Sequence, residues 1–241
     1  WSWLNDSTLQ PLFDLLISLI MVSADLVASV PGFDASLVDD VIVGCANPEG
    51  EQGLQMGRQI SLMALGVDVP GFVINRYCAS GLEAISIAVA KIKANLGECY
   101  IAGGTESMSM IPMTGYKLAP NYDVSENHPD YVVGMGLTAE AVAKKFNISK
   151  EAADQFSVNS HKKAAAAQAA GLFKDEIVPI TVEEVSVVND KRVSKTHVVD
   201  TDECVRADTT LEGLAKLRPA FAVDGKVTAG NSSPTSDGAA F

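Results

Sequence analysis

The sequence predicts an α/β protein, a mixed sheet covered by helices on both faces, with a second α/β segment inserted into it. Two observations carry this. Through about the first hundred residues, short runs rich in β-branched residues alternate with stretches whose apolar residues recur at helical spacing, the pattern of a helix-covered sheet. After Met113 that alternation stops, and it resumes only near Val227. The expected divisions are therefore 1–113 for the first part of the core, 114–219 for the insertion and 220–241 for the return to the core.

In order along the chain, residues 11–29 read as a helix. Val41–Cys45 is a short apolar strand, and Gln55–Leu65 is a helix closed by Gly66. Val69–Asn75 carries a turn signal followed by β-branched and aromatic residues, which reads as a strand. From Leu82 the apolar residues fall at Leu82, Ile85, Val89, Ile92 and Leu96, one helical face, with Gly97 as its stop. That helix carries only Glu83 before Lys91, so burial on most sides is expected. Cys99–Ala102 is a strand ending at Gly103 and Gly104.

Residues 115–136, rich in Pro, Asn, Asp and Tyr, read as a long irregular loop. Thr138–Phe146 is a short helix. Ser149 caps a longer one, with Glu151 and Asp154 in its first turns and Gly171 closing it. Ile177–Val182 and Val198–Val199 are strand-like, and Thr210 opens a small helix with Leu211, Leu214 and Leu217 on one side.

Composition excludes several classes. A net charge of −12 disfavours nonspecific contact with nucleic acid or an anionic membrane. Cys45, Cys78, Cys99 and Cys204 form no Cys-x-x-Cys pair, so neither a zinc site nor a disulfide scaffold is indicated, and no metal is expected. Reduced thiols fit a cytoplasmic compartment. Leu12–Val22 is apolar but short, carries Asp14 and lacks a basic flank, so a buried helix is expected there rather than a membrane span or signal peptide. There is no Walker motif and no Gly-x-Gly-x-x-Gly after a strand, which leaves nucleotide hydrolysis without support.

Cys78 lies between the Val69 strand and the Leu82 helix, followed by Ala79, Ser80 and Gly81. A free cysteine is most often a small buried hydrophobe. A helix N-terminus, however, favours a thiolate through its unpaired N–H groups and dipole, and the small neighbours admit a bulky substrate. Position alone leaves both readings open. A thiol of pKa about 8.5 is only slightly ionised at neutral pH, and a helix end supplies roughly 0.3–1 kcal/mol. A base or cation would have to supply the rest.

The segments "NRYCASGLEAI", "AGGTESMSMIPM", "MGLTAEAVAKKFNISKEAADQFSVNSHKKAAAA", "GLFKDEIVPI", "LAKLRPAF" and "VTAGNSSPTSDGAA" occur in the order and at the spacing of the thiolase family, to whose N-terminal half the chain is similar from about Leu26 onward. The resemblance implies a thiolase-type layered fold and an acyl-CoA C-acyltransferase. Its reaction is thiolysis of 3-ketoacyl-CoA, or the reverse condensation, through an acyl-Cys78 intermediate. Coenzyme A is then a substrate and no separate cofactor is implied. Carried over residue by residue, Arg206 of "VRAD" lies near the nucleotide, and Phe221 of "RPAF" lines the pantetheine channel. Ala229, Gly230 and Ser233 of "TAGNSS" run along pantetheine, and Met135 lines the acyl or pantetheine passage. Packing alone would also account for Phe221, and a surface role for Arg206.

The family's activating histidine in Gly-His-Pro, its second cysteine in Cys-x-Gly and its Asn-Glu-Ala oxyanion contacts have no match in these residues. His128-Pro129 follows Asn127 rather than Gly and reads as a surface loop. His161 and His197 read as structural or solvated, and Cys45, Cys99 and Cys204 as packing residues. Residues 1–20 lack the family's opening strand. The expectation is an N-terminal half that does not turn over alone, belonging to a homodimer or homotetramer when full length. The stretch Gly104–Thr138 is similar to that of fatty-acid-degrading members, which implies medium or longer acyl chains. A ketoacyl-synthase-type condensing enzyme fits the "TAGNSSPTSDG" stretch and the insertion less well. A noncatalytic acyl-CoA or lipid-binding relative would differ in leaving Cys78 unacylated.

Overall fold

The computed structural model describes residues 25–189 and 191–241, so the expected Leu12–Val22 helix lies outside the described residues. In chain order the elements are β1 (Asp40–Gly44), α1 (Met56–Ala64), β2 (Gly71–Ile74), α2 (Ser80–Lys93), β3 (Tyr100–Ser107), α3 (Tyr122–Asn127), α4 (Met135–Lys145), α5 (Lys150–Ala169), β4 (Ile180–Val188), β5 (Lys191–Val199), α6 (Leu211–Ala215) and β6 (Asp237–Ala240).

Every residue of β1 is buried, as a run of Val and Ile covered on both faces should be. It pairs in parallel with β2 and with β3, and β6 adds antiparallel to β3, giving the order β2-β1-β3-β6. Side chains alternate across a strand, so Val41 and Val43 join Met56 and Ile60 of α1 in one cluster. Ile42 meets Ala84 and Ala88 of α2 on the other face. The helix-covered mixed sheet expected from the sequence is present.

Three local expectations need correction. First, α2 is not buried on most sides. It packs through Ala84 and Ala88, four residues apart, while Leu82, Ile85, Val89, Ile92 and Leu96 stay exposed, Leu82 at 72%. Second, β3 does not end at its glycines. It runs on to Ser107 because β1 pairs with it as far as Gly104 and β6 pairs with Gly104–Ser107. Third, residues 115–136 are not all irregular, since α3 forms there with Asn121 capping it onto the Val124 N–H.

Packing divides the described chain into two units. The first comprises the residues up to Lys117, Val178–Asp200 and Thr235–Phe241, and the second Leu118–Ile177 and Thr201–Pro234. In the first unit, β4 and β5 form a two-stranded hairpin paired from Ile180↔Val199 to Val188↔Lys191, longer than the two short strand runs expected. In the second unit, Ser149 caps α5 through the Ala152 N–H, Thr210 caps α6 through the Gly213 N–H, and Gly171 takes the left-handed φ of 71° that ends α5.

Candidate active site

Cys78 is exposed, in the turn between β2 and α2. The turn is closed by its own backbone: the Ala79 N–H donates to the Arg76 carbonyl at 3.1 Å, and the Ser80 N–H donates to the Tyr77 carbonyl at 3.0 Å. Ala79 is the N-cap of α2 and offers no side-chain cap. The start of α2 lies directly over the end of β1, where a Cβ on Gly44 would stand 2.6 Å from the Ser80 carbonyl carbon. Only glycine permits that approach, so Gly44 sets how close the cysteine turn comes to the sheet. The Arg76 guanidinium pairs with the Glu83 carboxylate at 2.9 Å, both partly open to water, and contributes roughly 0–1 kcal/mol to holding the turn.

Two of the other thiols differ in kind. Cys45 is buried beside Glu106, and burial first, then the Glu106 charge, pushes its thiol up to about 12. Burial also pushes the Cys99 thiol up, with Asp39 adding to it. A thiol held protonated is a poor nucleophile. Cys204 is exposed, which corrects the packing role expected of it: it lies in the 201–210 segment between β5 and α6, outside both elements. Around Cys45, the Glu106 carboxylate accepts the Ala46 N–H at 2.6 Å and the Gln52 amide at 2.7 Å. Gln52 in turn accepts the Ser107 N–H at 2.6 Å. This buried set ties the loop after β1 to the end of β3.

In the second unit, the structure brings together part of the residue set expected at coenzyme A. Met135 begins α4 and is exposed. The half-exposed Phe221 ring covers the next residue, since a Cβ on Gly136 would stand 2.2 Å from that ring. Leu214 and Leu217 lie against Gly230, and Ala229 and Ser233 are exposed. The segment carrying Gly230 is held from two helices. Glu140 of α4 accepts the N–H groups of Lys226 and Val227 at 2.9 and 2.8 Å. Asn231 donates to Asp154 of α5 at 2.9 Å. Asp154, 2% exposed, also pairs with Lys150 at 2.6 Å. A mostly apolar cavity of about 380 Å³ lies here, lined by Met135, Thr138, Val142, Ile148 and Asn231 among others.

Arg206 is exposed and is anchored separately. Its N–H donates to His161 Nδ1 at 3.1 Å, and Gln168, two turns further along α5, donates to the Asp202 carbonyl at 2.9 Å. His161, expected to be structural or solvated, thus has a definite partner. His128 is exposed and stacks on Tyr131 at 5.4 Å, and His197 is exposed on β5. Reasoning from the sequence missed Glu140, Asp154, Asn231 and Ser80 as supports, although Glu140 lies within "MGLTAE" and Ser80 within "CASG". Among the described residues, no group of His, Cys, Asp and Glu could hold a metal ion, and no helix is long and apolar enough to cross a membrane.

The turn between β2 and α2 thus presents an exposed cysteine where the start of α2 meets the end of β1. Comparison with known proteins identifies the family. The family model described as "Thiolase, N-terminal domain" matches residues 18–241, and the chain belongs to the thiolase family. Among its relatives, the 3-ketoacyl-CoA thiolase of Bacillus subtilis (strain 168) is 52% identical over 205 residues, which cover 84% of this chain and 52% of the relative. The beta-ketoadipyl-CoA thiolase of Acinetobacter baylyi is 42% identical over 234 residues, 90% of this chain and 57% of the relative. The peroxisomal 3-ketoacyl-CoA thiolase 1 of Arabidopsis thaliana is 42% identical over 208 residues, 85% and 46%. The chain spans about half the length of these curated relatives.

Proposed function

We propose that the chain supplies the nucleophile and part of the coenzyme A channel of an acyl-CoA C-acyltransferase that cleaves 3-ketoacyl-CoA. The observation that carries the reading is the exposed Cys78 in a closed turn at the head of α2, in a chain with thiolase relatives. The Cys78 sulfur bonds to the 3-keto carbon. The C2–C3 bond then breaks with its electron pair passing to C2 of the departing acetyl-CoA, which takes up a proton. The thiolate of a second coenzyme A attacks the acyl-Cys78 carbonyl, releasing the shortened acyl-CoA and restoring Cys78. Met135, Phe221, Ala229, Gly230 and Ser233 line the pantetheine path, and Arg206 meets the nucleotide.

The same reading has the protein acting in the cytoplasm on fatty-acid-derived esters. The exposed stripe of α2 is covered by the matching helix of a second, similar half, within a homodimer or homotetramer. Fusing these 241 residues to the C-terminal half of the Bacillus subtilis relative tests it. The fusion is expected to cleave a 3-ketoacyl-CoA and to lose that activity on Cys78→Ala, while the 241 residues alone are inactive. Unchanged turnover in the Cys78→Ala fusion would sink the reading.

A further inference from the structure

We propose that Ser80 is a positioning residue for the Cys78 sulfur, acting through the left-handed backbone of Tyr77. The inference rests on Cys78 as nucleophile and deepens that reading. Tyr77 has φ of 48°, a region that side chains with a Cβ adopt only where their surroundings hold them there. Tyr77 is 74% exposed, so side-chain packing does not do the holding.

Ser80 does. It is 4% exposed, and its hydroxyl makes two hydrogen bonds: it donates to the Tyr77 carbonyl at 2.5 Å and accepts the Arg76 N–H at 2.9 Å. The Ser80 N–H donates to the same carbonyl at 3.0 Å. On its other side, the Tyr77 N–H donates to Asn75 Oδ1 at 2.8 Å. Both peptide groups flanking Tyr77 are therefore fixed, and the next Cα–Cβ bond is that of Cys78.

The direction of the Ser80 hydroxyl separates this role from an ordinary helix-start serine. A capping hydroxyl accepts from N–H groups two or three residues ahead. The Ser80 hydroxyl points back to residues 76 and 77, so it serves the turn that carries the nucleophile and not the helix behind it. Gly44 leaves no slack, because the Ser80 backbone is pressed against the end of β1.

The experiment compares initial iodoacetamide labelling of Cys78 with that of the exposed Cys204 in the same 241-residue chain, by peptide mass mapping. Ser80→Ala is expected to lower the Cys78-to-Cys204 ratio about tenfold, and Ser80→Thr, which keeps the hydroxyl, to stay within about twofold of the parent. Tyr77→Gly removes the conformational cost, so Tyr77→Gly combined with Ser80→Ala is expected to recover most of the ratio. Tyr77→Val, β-branched and unsuited to positive φ, is expected to lower it with Ser80 intact. A merely structural serine would not show rescue by glycine three residues away. An unchanged ratio in both Ser80→Ala and Tyr77→Val, or no rescue in the double variant, overturns the proposal while leaving Cys78 as nucleophile. A parent chain in which Cys204 labels faster than Cys78 overturns both.

Discussion

Glu106 Oε1 lies 3.9 Å from the Cys45 sulfur, a carboxylate placed against a buried thiol at the end of the central strand. The Cys45 thiol is raised from 9.0 to about 12, by burial first and by the Glu106 charge second. A raised folded-state value means that the stabilising contribution is complete below about pH 9 and is lost as pH rises toward 12. In urea titrations between those limits, the parent is expected to lose up to about 1.4 kcal/mol per pH unit more than Cys45→Ala. Parallel slopes for parent and variant would show that the thiol is not held protonated.

Labelling order follows from the same contrast. Cys78 and Cys204 are exposed, whereas Cys45 is buried and Cys99 half-buried. Limited alkylation of the folded chain is expected to reach Cys78 first, then Cys204, then Cys99, with Cys45 modified only on unfolding. Early modification of Cys45 would contradict the packing around Glu106.

The two faces of α2 should respond oppositely to substitution. Ile85 and Val89 are about half exposed, so Ile85→Gln with Val89→Gln is expected to change stability by less than about 0.5 kcal/mol. The same pair should reduce self-association of the 241-residue chain, measured by sedimentation, because a continuous apolar stripe is removed. Ala88, buried against Ile42, has no such freedom. Ala88→Leu is expected to destabilise by about 1–3 kcal/mol through overpacking.

In the second unit, Asp154 joins Lys150 and Asn231, and Lys150 also donates to the Leu214 carbonyl at 2.9 Å. Asp154→Ala leaves a largely buried ammonium with, among the described residues, only that carbonyl, and frees the segment carrying Gly230. A loss of about 3 kcal/mol is expected by urea denaturation, together with weaker coenzyme A binding and unchanged Cys78 labelling. A loss of under about 0.5 kcal/mol would mean that the Lys150–Asp154 pair is no more than a surface ion pair.

Several features of the protein were determined by the sequence itself, because they depend on local interactions. The strand at Val41–Val43, the helix capped by Ser149 and the turn holding Cys78 follow from β-branching, a capping hydroxyl and a run of small residues. The thiolase resemblance was legible because its motifs occur at fixed spacing. What only the tertiary structure decided depends on partners distant in the chain. Periodicity along α2 identifies an apolar stripe, but not which of two apolar faces the sheet selects. The sheet takes Ala84 and Ala88 because strands approach a helix most closely over small side chains, and the larger residues are left outside. β3 runs through Gly103 and Gly104 because β1 pairs with both, and on to Ser107 because β6, far along the chain, pairs with Gly104–Ser107, hydrogen bonds that no local pattern encodes. The reactivity of the thiols divides on the same ground. The neighbours that raise Cys45 and Cys99, Glu106 and Asp39, lie about sixty residues away in sequence, and desolvation is a property of the packed molecule and not of the chain.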